Sequence, residues 1–159
     1  MGQRSGAPAA SSYKRILVPI DGSRTAEAGL REAIRLASGS RGATIRLLHV
    51  LEPLPALQGM EVIITDTLLD NMTSFGEKIL HNARAMVESH GIRAETVFRK
   101  KPLQRAADGI TAEIRKWKAD VVVMGTHGRR GLSRVVLGSD AEMVVRMAAV
   151  PVVLIRDQP

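Results

Sequence analysis

Short, unbroken apolar runs alternate along this chain with longer stretches in which apolar residues return every three or four positions. The run "RILVPI" (residues 15–20) predicts a buried strand, closed by the turn-forming Asp21-Gly22-Ser23. In "TAEAGLREAIRLAS", Leu30, Ala33, Ile34 and Ala37 share one helical face, and Glu27 and Arg31 stand four apart on another. "ATIRLLHV" (residues 43–50) predicts a second strand. After the proline-bearing loop of residues 53–65, a long helix is expected to about Ser89, with Leu68, Met72, Phe75, Ile79, Ala83 and Met86 inward. It should stop at His90-Gly91. "AETVFR" is a shorter, more polar strand suited to a sheet edge. From Pro102 a third helix carries Leu103, Ala106, Ala107, Ile110, Ile114 and Trp117. "DVVVMG" is the most apolar strand, residues 139–148 form a last helix with Val144, Val145 and Ala148 inward, and "PVVLIR" closes the chain.

Strands and helices that alternate at these lengths specify a parallel sheet covered on both faces. The expected fold is therefore one doubly wound α/β domain over residues 13–159, preceded by a small, polar leader at residues 1–12 that reads as disordered. An outward winding through the first three strands, followed by a return for the last two, gives the order 3-2-1-4-5. The ligand crevice of such a sheet lies where the winding reverses, here between the C-terminal ends of strands 1 and 4. Asp21 follows the first of these strands and Gly125 ends the other.

Composition narrows the chemistry. Aromatic residues make up 3% of the chain, too few for base-stacking platforms, so a nucleic-acid partner is not expected. With no cysteine, disulfides and thiol chemistry are excluded, and no His or carboxylate cluster has metal-ligand spacing. No apolar run approaches a bilayer span and no secretory signal is visible, so a soluble, cytoplasmic protein without a membrane partner is expected. The formal charge of +7 suits a phosphorylated ligand or a polyanion, although the basic residues are spread over every segment.

The candidate chemistry concentrates in "VVVMGTHGRRGLSRVVLGSD", where Gly125, Gly128, Gly138 and Ser139 have the spacing G-x2-G-x9-G-S. Gly125 and Gly128 would let the backbone bend and approach a ligand closely. Gly138-Ser139 opens a helix whose N–H groups and dipole suit a phosphate. Arg129, Arg130 and Arg134 add charge, and His127 is placed either to bind a phosphate or to hold the turn. Asp21 either accepts hydrogen bonds from a ribose or simply makes a turn and caps the first helix. Neither the Walker loop nor the dinucleotide fingerprint is present, nor is a nucleophile elbow, so binding is better supported than catalysis.

Taken together, "KRILVPIDGSRTAEAGLREA", "LLHV" and the region from "VVVMG" to "PVVLIR" resemble the nucleotide-binding branch of the universal stress protein family. The resemblance implies ATP in the crevice between strands 1 and 4; without a protein metal site, magnesium is open only as an ion carried in with the nucleotide. Pro19 and Val50 would line the adenine pocket, Asp21 would hold the ribose, and Met124 and Gly125 would pack on the nucleoside. Gly128, Gly138, Ser139 and Asp140 would surround the phosphates, with His127 and Arg129 beside them. It also implies a homodimer paired along residues 152–155, and a regulatory role in stress response. Asp140 departs from the family, which usually has a small or apolar residue there. It is read as turned away and capping its helix; an inward carboxylate would favour AMP or a cyclic nucleotide over ATP. A slow ATPase or phosphotransferase using His127 or Asp140 stays open, as does a basic adaptor that ignores nucleotides.

Overall fold

The computed structural model describes residues 13–51, 65–100, 105–127 and 137–156. In chain order these form β1 (Arg15–Pro19), α1 (Arg24–Ser38), β2 (Thr44–Val50), α2 (Asp66–Ser89), β3 (Arg93–Arg99), α3 (Ala106–Trp117), β4 (Val121–Gly125), α4 (Ser139–Met147) and β5 (Val152–Ile155). All pairings are parallel, as the alternation of elements specifies, and the sheet order is β3-β2-β1-β4-β5, the order of an outward winding followed by a return. The leader, the proline-bearing loop through residue 64 and residues 128–136 lie outside the described residues.

Alternation along the strands divides the core into two layers. Ile16, Val18, Ile45, Leu47, Val121 and Val123 face α1 and α2. Leu17, Leu48, Val50, Val122 and Met124 face α3 and α4. Side chains two apart on a strand share a face, so the central strands supply both layers, and β4 has no polar break in its apolar run. β3 is an edge strand as expected, but it is as long as β2, pairing with it from Arg93 to Arg99.

Two helical faces differ from expectation. On α2 the buried residues are Gly76, Leu80, Ala83 and Val87, while Phe75 is exposed. The buried stripe is thus turned by about one residue, because the helix backbone settles against the sheet at a glycine that carries no hydrophobic signal. On α4, Ala141 and Val144 are buried but Val145 is exposed. α3 is described from Ala106, with Arg105 at its N-cap and no side-chain capping bond there; Pro102 and Leu103 lie outside the described residues.

Two polar groups fasten this frame. The carboxylate of Asp120, just ahead of β4, accepts from the backbone N–H groups of Lys14 (2.9 Å) and Arg15 (2.7 Å) and from the Arg15 guanidinium (3.2 Å). Burial pushes its pKa up, but those hydrogen bonds outweigh burial and hold it below the ordinary value. On α3, buried Glu113 bridges Arg46 (2.7 Å) on β2 and Arg99 (2.6 Å) on β3. Burial again raises its pKa, and the two arginines reverse the sign.

Candidate functional site

The winding reverses between β1 and β4, so the C-terminal ends of those strands bound the crevice. β1 hands over to α1 through a tight turn. Gly22 takes a φ of +81°, which a side chain would resist, and Asp21 Oδ1 accepts from the Ser23 N–H at 2.9 Å. Ser23 is the N-cap of α1, its Oγ accepting from Ala26 N at 3.2 Å. The turn-and-cap reading of Asp21-Gly22-Ser23 therefore describes the local structure, with the Asp21 carboxylate part-exposed at the strand end.

On the other side of the reversal, β4 ends at Gly125, and Thr126 N donates to Ile155 O (2.9 Å). The chain then leaves for residues 128–136 and returns with Gly138 N donating to Thr126 O at 2.9 Å. A Cβ at Gly138 would lie 3.0 Å from that oxygen, so the glycine lets the two ends of the connection touch. α4 starts at Ser139 with Gly138 as N-cap and no side-chain capping bond. Its N-terminal amides thus lack the hydroxyl or carboxylate cap that α1 has, a donor set suited to an anion.

The two halves are joined across the crevice. Thr25, in the first turn of α1, donates its hydroxyl to the carbonyl of His127, and Thr126 Oγ1 lies 3.1 Å from His127 Nδ1. Thr25 and Thr126 were not among the sequence candidates. A threonine near a helix start gives no chemical signal by itself, and its partner is 102 positions away.

The remaining candidates are placed as follows. Pro19 ends β1 half-buried, Val50 ends β2, and Met124 is the next-to-last residue of β4, the latter two within the core layer under α3 and α4. Val50 packs on α3 so closely that a Cβ at Gly109 would fall 2.9 Å from its Cγ2. Gly125 has a packing role as well. A Cβ there would lie 2.7 Å from Thr25 Oγ1 and 2.8 Å from the Thr25 backbone carbon, so its absence is needed for α1 to pack on β4. Ser139 is exposed in the first turn of α4. Asp140 does act as a cap, but for another helix: its Oδ1 accepts from Ala107 N at 3.3 Å, at the start of α3. Gly128 and Arg129, with Arg130 and Arg134, lie outside the described residues. Among the described residues, no three His, Asp or Glu side chains are grouped to hold a metal ion, and no helix is long and apolar enough to cross a membrane.

Comparison with known proteins agrees with this architecture. A sequence model of the universal stress protein family matches residues 12–156. A universal stress protein of Methanocaldococcus jannaschii is 30% identical over 148 residues, covering 91% of this chain and 82% of that protein. A solved structure of a second protein of that organism superposes with a TM-score of 0.79 at 24% identity, over 92% of this chain and 97% of the other. A universal stress protein of Archaeoglobus fulgidus, solved in complex with dAMP, gives a TM-score of 0.66 at 24% identity, over 90% and 98%.

Proposed function

The chain belongs to the universal stress protein family, and on that premise we propose that it is a nucleotide-binding regulatory protein of the stress response, taking ATP between the ends of β1 and β4. The carrying observation is the convergence at one sheet reversal of a carboxylate turn and an α4 N-terminus without a side-chain cap, joined by the Thr25 to His127 bond. The dAMP complex of the Archaeoglobus relative supports a nucleotide as the ligand class.

In this reading Asp21 accepts from the ribose hydroxyls, and Pro19, Val50 and Met124 supply apolar surface for the purine. The amides of α4, with Ser139, His127, Gly128 and Arg129, meet the phosphates, where magnesium travels with the nucleotide. With its carboxylate at Ala107, Asp140 is drawn toward α3 and away from the role of opposing a phosphate. The protein binds without turnover in this reading; His127, whose Nδ1 lies at Thr126 Oγ1, and Asp140 are the candidate bases of the alternative, a slow ATPase. β5 is an edge strand with Val152–Ile155 half-buried, and in this reading two copies pair there to form a cytoplasmic homodimer.

Calorimetric titration of ATP into nucleotide-stripped protein tests the proposal. Saturable heat is expected, weakened about tenfold in Asp21→Asn, which keeps an acceptor for Ser23 N but loses the charge. Absence of heat and of thermal stabilisation at millimolar ATP rejects it.

A further inference from the structure

One imidazole in the protein is buried, and the nucleotide reading gives it no task. His49, the residue before Val50 on β2, is 2% exposed, whereas His81 and His90 are exposed and His127 is half-buried. Its Nδ1–H donates to the carbonyl of Ile20 at 2.7 Å. That carbonyl belongs to the peptide unit joining Ile20 to Asp21, while Ile20 N donates to Leu48 O at 2.8 Å. Both polar groups of Ile20 are therefore held by β2, one by the strand backbone and the other by this ring.

The ring itself is clamped. A Cβ at Gly76 of α2 would fall 2.6 Å from His49 Cδ2 and 2.9 Å from Nε2, so the helix backbone lies directly on the imidazole. The Phe98 ring lies with its centroid 5.3 Å away, tilted by 47°. α2 reaches the same turn a second time, since a Cβ at Gly22 would meet Ile79 Cδ1 at 3.0 Å. An apolar side chain would fill this interior without the desolvation cost of a polar ring. What the imidazole adds is a directed donor to the peptide from which the Asp21 carboxylate springs.

Resting on the nucleotide reading above, we infer that His49 is a positioning residue for ribose recognition, fixing the Ile20–Asp21 peptide so that the Asp21 carboxylate faces the ribose diol. It touches no ligand and acts only through that peptide. Its removal should therefore erode discrimination between a ribose and a sugar lacking the diol, instead of weakening all nucleotides alike.

The test is calorimetry on the nucleotide-free full chain with ATP and with dideoxyATP. The unaltered protein should prefer ATP. His49→Leu should lose about tenfold in ATP affinity with little change for dideoxyATP, since the Ile20 carbonyl is left without its donor. Should His49→Leu not fold, His49→Gln makes the same comparison, because its amide nitrogen stands where Nε2 was and not where Nδ1 was. His49→Asn, whose amide can occupy the Nδ1 position, should recover ATP affinity to within about threefold. In an Asp21→Asn background the His49 substitution should cause no further loss. Equal loss for both nucleotides, failure of His49→Asn to recover, or additive losses with Asp21→Asn would each overturn the role. An unaltered protein that binds neither nucleotide rejects the nucleotide reading itself, and this role with it. A protein that binds both equally contradicts only the assignment of Asp21 and His49 to the ribose.

Discussion

Replacing Gly125 with alanine puts a methyl group into the contact between α1 and β4. The new carbon would stand 2.7 Å from Thr25 Oγ1 and 2.8 Å from both Cβ and the backbone carbon of Thr25. Carbon contacts are comfortable at about 3.5–4.0 Å, so the overlap is roughly 0.7 Å or more. A side-chain rotation cannot relieve it, because one of the atoms is the backbone of the first turn of α1. The helix start has to move, and with it the Thr25 bond to His127 O. Overpacking of this kind costs about 2–3 kcal/mol. With an m-value of about 2 kcal/mol/M for urea, the midpoint should fall by roughly 1 M at unchanged slope. Gly29, one helical turn further along the same interface, provides the control. A Cβ there would lie 3.4 Å from Gly125 N and from Met124 C, which is ordinary contact. Gly29→Ala should be neutral or stabilising by up to about 1 kcal/mol, because alanine is the better helix former. Urea unfolding followed by far-UV circular dichroism reads both variants. If Gly125→Ala keeps its midpoint but loses ATP binding, the glycine serves ligand approach and the packing argument is wrong.

Two further predictions concern the carboxylates. Asp120→Asn should destabilise by about 1 kcal/mol at neutral pH, a figure discounted for partial exposure. Because hydrogen bonding lowers the folded-state pKa of Asp120, its contribution is complete above the ordinary aspartate value and disappears as pH falls through the folded one. The gap between the unaltered protein and the variant should therefore close on acidification; a gap independent of pH refutes the assignment. Asp140→Ala should destabilise by about 1 kcal/mol through loss of the α3 cap, without strengthening ATP binding. Tighter ATP binding at unchanged stability would mean that the carboxylate faces the phosphates.

The elements of this fold were legible because period-two and period-three-to-four patterns survive in a single sequence without knowledge of neighbours. β4 is buried at every residue, and its unbroken "VVVMG" announces as much. The crevice was legible at one remove: the alternation of elements specifies a parallel sheet, the winding assumed for it and implied by the family resemblance gives the order, and the reversal point follows from the order. Local turn chemistry was equally open, since Asp21, Gly22 and Ser23 act within five residues of one another and of Ala26.

What periodicity could not supply was the partner of each face and the reason for each small residue. The α2 pattern allowed Phe75 or Gly76 to point inward, and a glycine has no hydrophobicity to vote with; contact with the His49 ring decided it. Gly125 read only as room for a ligand, and the packing of Thr25 adds a second cause that no local pattern announces. Asp140 read as a cap for its own helix, yet α3 lacks a side-chain cap at Arg105, and the packing of α3 beside α4 brings its first amides to the carboxylate. Propensity and periodicity are properties of a segment and its spacing, so the sequence alone determined the elements and the parallel sheet they build, while the winding that places the crevice is a property of the tertiary structure. Hydrogen-bond partners and close approaches link residues 33 or 102 positions apart, and only the tertiary structure could choose them.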